Sequence, residues 1–204
     1  MRRVVVTGMG VVSPLGVSLE DNFNGIISGK SAISRISSFD VSDYAAQVAG
    51  QVPWGQEEGQ FNPDLWITPK EQRHLDMFVI YGIVAGLQAL ADAGYKAETE
   101  EEKNRSGVYV GTGIGGLQTI DATSQTINAG GPRRVSPFFI PSALSNMISG
   151  HLSMRAGFQG PNTCVVTACA TGTHAIGDAA RLIRCDEADV MLAGGAEEIG
   201  RAHV

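Results

Sequence analysis

Short apolar runs closed by small residues alternate with helix-length stretches along this chain, and that alternation limits the fold more than any other feature. Arg-Val-Val-Val-Thr at 3–7, closed by Gly8, predicts a strand buried on both faces. Gly-Val-Tyr-Val-Gly at 107–111 predicts a second, Thr-Cys-Val-Val-Thr at 163–167 a third, and residues 188–193 a fourth. Between them, Ser18 caps a helix reaching about Gly29, with Glu20 and Asp21 in its first turn. Thr68, Pro69 and Glu71 form a capping box with a proline start. That helix runs through Met77, Ile80, Ile83, Val84, Leu87 and Leu90 to Gly94. A further helix follows Pro141, taking in Leu144, Met147, Ile148 and Leu152, and another covers 172–184. Residues 30–66 read as irregular with short extended pieces, 98–103 as a charged surface linker and 112–116 as a glycine-rich loop. The order β-α-β-α-β-α-β predicts a layered α/β fold around a mostly parallel sheet.

Apolar residues make up 43% and charged residues 18% of the 204 positions, enough for a packed core. The net charge is −6 and no basic stripe dominates, which disfavours nucleic acid as a partner. No stretch approaches the roughly 20 apolar residues of a membrane span. The start, Met-Arg-Arg-Val-Val-Val, does not read as a secretory signal, so a reducing cytoplasm with free thiols is expected.

Cys164, Cys169 and Cys185 are the three cysteines. Cys169 stands apart. In Val165-Val-Thr-Ala-Cys-Ala-Thr-Gly172 an apolar strand turns sharply through small residues into a helix. A side chain there faces unpaired helix N–H groups, which favour negative charge. A free thiol titrates at about 8.5, and such a position lowers that value. The elbow suits a thiolate nucleophile. Cys164, within the strand, and Cys185, at the helix end, read as structural.

The segment Val-Thr-Ala-Cys-Ala-Thr-Gly-Thr-His-Ala-Ile-Gly-Asp-Ala-Ala-Arg resembles the nucleophile region of β-ketoacyl-acyl carrier protein synthases. Other stretches agree: Val-Val-Val-Thr-Gly-Met-Gly-Val-Val-Ser-Pro-Leu-Gly at the start, and Gly-Thr-Gly-Ile-Gly-Gly-Leu at 111–117. So do Gly-Pro-Arg-Arg-Val-Ser-Pro-Phe-Phe-Ile-Pro at 131–141 and Ala-Asp-Val-Met-Leu-Ala-Gly-Gly-Ala-Glu at 188–197. The second and third resemble the synthases that elongate medium and long acyl chains. The resemblance covers 1–198, taken as one incomplete N-terminal domain. It implies the N-terminal half of a thiolase-like fold, and a fatty-acid-elongating acyltransferase needing no cofactor or metal. An acyl group passes from acyl carrier protein to Cys169. Malonyl-carrier protein then loses carbon dioxide, and its carbanion attacks the thioester. The resemblance further implies a homodimer. Ile114 matches the position limiting acyl length, and Phe139 one reaching into the partner subunit's pocket. Lys70, Arg73, Arg133 and Arg134 match positions that dock the acidic carrier protein.

The family pairs its cysteine with two histidines, both in the second half of the protein. His174 lies five residues after Cys169, about 140° around a helix, so it is expected to point elsewhere. His74 and His151 match neither catalytic position. His203 falls in Ile-Gly-Arg-Ala-His-Val at 199–204, which reads as the translation of a sequencing adapter, ATC GGA AGA GCA CAC GTC, and is expected to be a non-native tail. The 204-residue polypeptide is therefore expected to be a truncated fragment, poorly soluble and without condensing activity. Thiolases and polyketide-type synthases are the rival enzymes. A chain-length partner would lack the nucleophilic cysteine, and a cysteine hydrolase needs a histidine and an orienting Asn or Asp that nothing here places. The 111–116 glycines lack the G-x-G-x-x-G spacing of a dinucleotide cradle.

Overall fold

A computed structural model of the chain describes residues 2–198, so the adapter-like stretch 199–204 lies outside the described residues. Helix α1 (Leu19–Ile27) has Ser18 as its N-cap, accepting from the Asp21 N–H. Within the segment read as irregular, β1 (Ile33–Arg35) and β2 (Val48–Gly50) pair as a small antiparallel hairpin. Helices α2 (Pro69–Gln72), α3 (Met77–Ala93) and α4 (Glu100–Asn104) follow. After them come β3 (Ser106–Gly111), α5 (Leu117–Gly130), α6 (Phe139–Ala143) and α7 (Met147–Ala156). The chain then forms β4 (Asn162–Thr163), α8 (Thr171–Arg184) and β5 (Val190–Gly195).

The expected α/β architecture is present, with its main sheet parallel throughout. Strand β3 is central, flanked by β4 and β5 in parallel, in the order β4-β3-β5. It pairs with β5 from Ser106↔Val190 through Gly111↔Gly195, and all six of its residues are buried. Helices cover both of its faces, as parallel sheets require. On one face α3 and α7 pack through Phe78, Val79, Ile83, Ile148 and Leu152. Close approach there depends on Gly82 and Gly86, one turn apart on α3. A Cβ on either would lie 2.6 Å from Ile148 Cγ2 or Leu152 Cδ2 respectively. On the other face Ala175, Ala179 and Leu182 of α8 pack on Tyr109.

Six local expectations need correction, the first being the helix placed after Pro141: Pro141 lies inside α6, and Leu144 is extended (ψ 138°) between α6 and α7. Among the described residues, 3–7 pair with no strand, and Val5 and Val6 are 64% and 76% exposed. The residues that follow the β-branched run lie against a helix: Gly8 and Gly10 approach the α3 backbone at Ala89 and Ala85. Side chains of α3 take the following donors, with Met9 N–H on Asp92 and Val11 N–H on Gln88, both at 2.9 Å.

The helix expected from Thr68 to Gly94 is broken between Gln72 and Met77. Asp76 is extended there (φ −74°, ψ 158°). Its carboxylate is held by Thr119 of α5, accepting from the backbone N–H at 3.1 Å and the hydroxyl at 2.6 Å.

The charged linker contains α4, which Thr99 and Glu102 start with a second capping box. The strand expected over 163–167 pairs only at Asn162–Thr163. Beyond that point buried Ser149 of α7 stands between the strands. Its Oγ accepts from Val110 N–H at 2.9 Å and donates to the Thr163 carbonyl at 2.7 Å, replacing a direct ladder bond. The last strand begins and ends two residues later than expected.

Candidate active site

The elbow residues are all small, and the backbone exploits that. Ala168 has φ +51°, a left-handed conformation that strains any residue with a Cβ. Residues 168–170 form one 3-10 turn, and α8 begins at Thr171. The turn is stapled by a single buried hydroxyl. Thr171 Oγ1 accepts from the Thr167 N–H at 2.9 Å and donates to the Ala168 carbonyl at 2.7 Å. Cys169 sits at the middle of this turn with its residue exposed. The expected strand-to-helix elbow is present, with a shorter strand before it and a one-turn 3-10 segment inside it.

Two further elements converge on the elbow from the C-terminal ends of the parallel strands, where α/β folds place their ligands. The glycine-rich loop leaves β3 and touches the elbow at Gly113. A Cβ there would lie 3.3 Å from Ala168 Cα and 2.8 Å from Glu197 Oε2. Glu197, just beyond β5, accepts the Ile114 N–H at 2.8 Å and ties the loop to that strand end. Ile114 itself is 54% exposed beside this junction. Glu198 follows, bonded by Gln118 of α5; burial and then the Asp76 charge push its carboxyl pKa up.

The three described histidines are placed elsewhere, as expected for His174. Its Nδ1 lies 3.4 Å from Thr167 Oγ1 and its Nε2 3.4 Å from Asp178 Oδ2. Tyr109 donates to that same carboxylate at 2.9 Å, which heads the causes holding Asp178 below the usual range. His74 stacks on Phe138, with ring centroids 3.7 Å apart. His151 is half-buried, and burial leads its pKa downward. Among the described residues no group of three or more His, Cys, Asp or Glu is placed to hold a metal.

Phe139 occupies a different cleft from Cys169. It lines a cavity of about 170 Å³ with Arg73, His74, Phe138 and Ser136. An adjoining cavity of about 230 Å³ carries Arg134, and the two share Thr119, Thr123 and Ser136. Arg73 and Arg134, 61 positions apart in the sequence, therefore flank one continuous depression. Lys70 and Arg133 are exposed on the turns beside them. Thr171, Glu197 and Asp76 were not among the sequence candidates. Glu197 had a signal, an acid directly after the Gly-Gly-Ala that ends the last strand, whereas Thr171 and Asp76 act through tertiary contacts that spacing does not show.

Residues 1–203 match the model of the β-ketoacyl synthase N-terminal domain. The chain belongs to the β-ketoacyl synthase family. The domain is 50% identical over 198 residues to 3-oxoacyl-[acyl-carrier-protein] synthase 2 of Rhizobium meliloti (strain 1021), covering 97% of this chain and 47% of that protein. A β-ketoacyl synthase from Burkholderia phymatum STM815 superimposes with a TM-score of 0.81 at 28% identity, over 98% of this chain and 48% of that one. A ketosynthase in complex with its type II PKS acyl-carrier protein matches with a TM-score of 0.75 at 27% identity, over 99% and 53%. The synthase domain thus has the thiolase-like α/β fold of ketosynthases, and it spans about half the length of the curated relatives it matches.

Proposed function

We propose that the whole protein to which this synthase domain belongs is a 3-oxoacyl-acyl carrier protein synthase of fatty acid elongation, with Cys169 as its nucleophile. The observation that carries this reading is an exposed cysteine on a strained, stapled elbow at the strand ends, in a chain half identical to a synthase 2. The Cys169 thiolate attacks the thioester carbonyl of an acyl-carrier protein. The carrier's thiolate leaves and takes up a proton. Malonyl-carrier protein then loses carbon dioxide, and the electron pair of the broken C–C bond forms a carbanion. That carbanion attacks the acyl-cysteine, and the cysteine sulfur leaves. The product is a 3-oxoacyl-carrier protein two carbons longer.

In this reading Ile114 borders the acyl chain, and Phe139 reaches the pocket of a second subunit in a homodimer. Lys70, Arg73, Arg133 and Arg134 attract the acidic carrier. The shared depression between Arg73 and Arg134 supports that grouping. No described helix is long and apolar enough to cross a membrane, and the cytoplasm is the proposed location. Residues 199–204 are proposed to be adapter-derived, although the family match runs to 203; source DNA that departs from the adapter codons refutes this.

The test of the function uses the whole protein with acyl-carrier protein. Mass spectrometry should find the acyl group on the peptide carrying Cys169, and Cys169→Ala should abolish it. Acylation persisting at full rate in that variant overturns the assignment.

A further inference from the structure

We propose that Arg155 is a positioning residue for carrier-protein docking: through Glu71 it fixes the short helix that presents Lys70 and Arg73. The proposal rests on the docking role given to Lys70 and Arg73 above.

Helix α2 is a single turn, Pro69–Gln72. A helix that short is unstable alone, because nucleation costs more than one turn of hydrogen bonds returns. Its direction is therefore set by what it is fastened to. Two of the fastenings are local. The capping box joins Glu71 Oε2 to the Thr68 N–H at 3.2 Å and to its hydroxyl at 2.7 Å. Gln72 donates to Asp64 at 2.8 Å and to the Ile67 carbonyl at 2.7 Å. These bonds shape the turn but move with it.

The third fastening reaches out of the segment. Arg155, in the last turn of α7, donates from Nη2 to Glu71 Oε1 at 3.0 Å. Among the described residues it is the one hydrogen bond joining α2 to a distant element. Helix α7 is a firm anchor, since its Ile148 and Leu152 are fully buried against α3. The two carboxylate oxygens of Glu71 thus divide their work, one capping the helix and the other tying it to the core. The arrangement favours the ionised form: the Thr68 hydroxyl and then Arg155 hold the Glu71 pKa down at about 2. Arg155 has little freedom to turn elsewhere. Its side chain is mostly buried, and its Nε is buried without a partner. His151, one turn earlier on α7, has its pKa pushed down by burial and then by the Arg155 charge. Lys70 and Arg73 lie one position before and two after Glu71. On a helix, fixing Glu71 fixes the azimuth of both.

The test uses the full-length protein, with Arg155→Met, Arg155→Lys and Glu71→Gln. Three quantities are read: Kd for acyl-carrier protein at low salt, acylation of Cys169 by acyl-pantetheine, and Tm. Acyl-pantetheine carries the thioester without the carrier protein and so bypasses docking. Arg155→Met should raise Kd by about two- to five-fold, the range of a partly exposed ion pair, with acyl-pantetheine acylation kept. Arg155→Lys should recover part of the affinity. Adding Arg155→Met to Glu71→Gln should weaken binding no further. The proposal is overturned if Arg155→Met leaves Kd unchanged while Lys70→Glu and Arg73→Glu weaken binding. It is also overturned if Arg155→Met slows acyl-pantetheine acylation as much as it weakens docking. If neither charge reversal changes Kd, the docking reading fails and takes this proposal with it.

Discussion

Replacing Thr171 by Val separates the shape of the elbow staple from its hydrogen bonds. Valine keeps the volume and β-branching of threonine but loses the hydroxyl that both accepts from Thr167 N–H and donates to the Ala168 carbonyl. Each lost bond has a net value of about 1 kcal/mol. Full burial of the freed groups would raise that cost, but Thr167 and Ala168 are themselves exposed and water can reach them. The sum is therefore about 2 kcal/mol, which for a chain of this size lowers Tm by about 4–8 °C. Thr171→Ser is the control. It keeps both bonds and removes the buried Cγ2 near Gly111, for about 1 kcal/mol. The local consequence should exceed the global one. Ala168 is held at φ +51° against a strain of about 1–2 kcal/mol, and without the staple that residue relaxes and Cys169 moves. Thermal unfolding reads the first effect. The rate at which iodoacetamide alkylates Cys169 at fixed pH, followed by mass spectrometry, reads the second. A Thr171→Val protein as stable as Thr171→Ser, with an unchanged alkylation rate, would refute the staple.

Other consequences concern the core, the docking helix and the chemistry. Gly86→Ala places a methyl 2.6 Å from Leu152 Cδ2 and should cost about 1–3 kcal/mol through overpacking, seen as a lower urea midpoint. An unchanged midpoint would mean that α3 and α7 separate freely. Glu71 is depressed to about 2 from 4.5, so its contribution is present above about pH 4.5 and is lost as pH falls from there toward 2. Glu71→Gln should remove that part of the pH dependence, and identical acid-unfolding curves would contradict the assignment. The 204-residue polypeptide alone should form no 3-oxoacyl product from acyl- and malonyl-carrier protein, and product detected by mass spectrometry would reverse that expectation.

Sequence signals were most reliable where a local bond decides the structure. Ser18 and the Thr68–Glu71 box start helices where their side chains indicated, because a cap is a contact over three residues. The elbow at Cys169 was legible for a related reason: an apolar run meeting small residues has few conformations open to it. The errors arose where a tertiary contact overrode local preference. Thr119 claims Asp76 and breaks a helix whose apolar pattern runs on without interruption. Ser149 enters between β3 and β4 and ends a strand whose β-branched run continues. Residues 3–7 carry a strong strand pattern, yet a pattern gives conformation and does not supply a neighbour. Helix α5 had no sequence counterpart, since its Thr, Ser, Gln and Asn content is poor in helix formers and its order comes from Asp76 and the packing of α6.

The division between what this domain builds and what it leaves open follows from the direction of its bonds. Every contact that shapes the elbow is made within the chain: the Thr171 staple, the Gly113 approach and the Glu197 bond to Ile114. Among the described residues no histidine forms a hydrogen bond with Cys169. His174 is turned toward Thr167 and Asp178 and His74 against Phe138, while the Nε2 of half-buried His151 has no hydrogen-bond partner. Apolar surface is open on the outer side of α8, where Ile176 is exposed, and along the unpaired start at Val5 and Val6. A carbanion and a thioester oxyanion both need preorganised donors. On the proposed function, the described residues shape the elbow that carries Cys169 and leave an apolar flank open beside it.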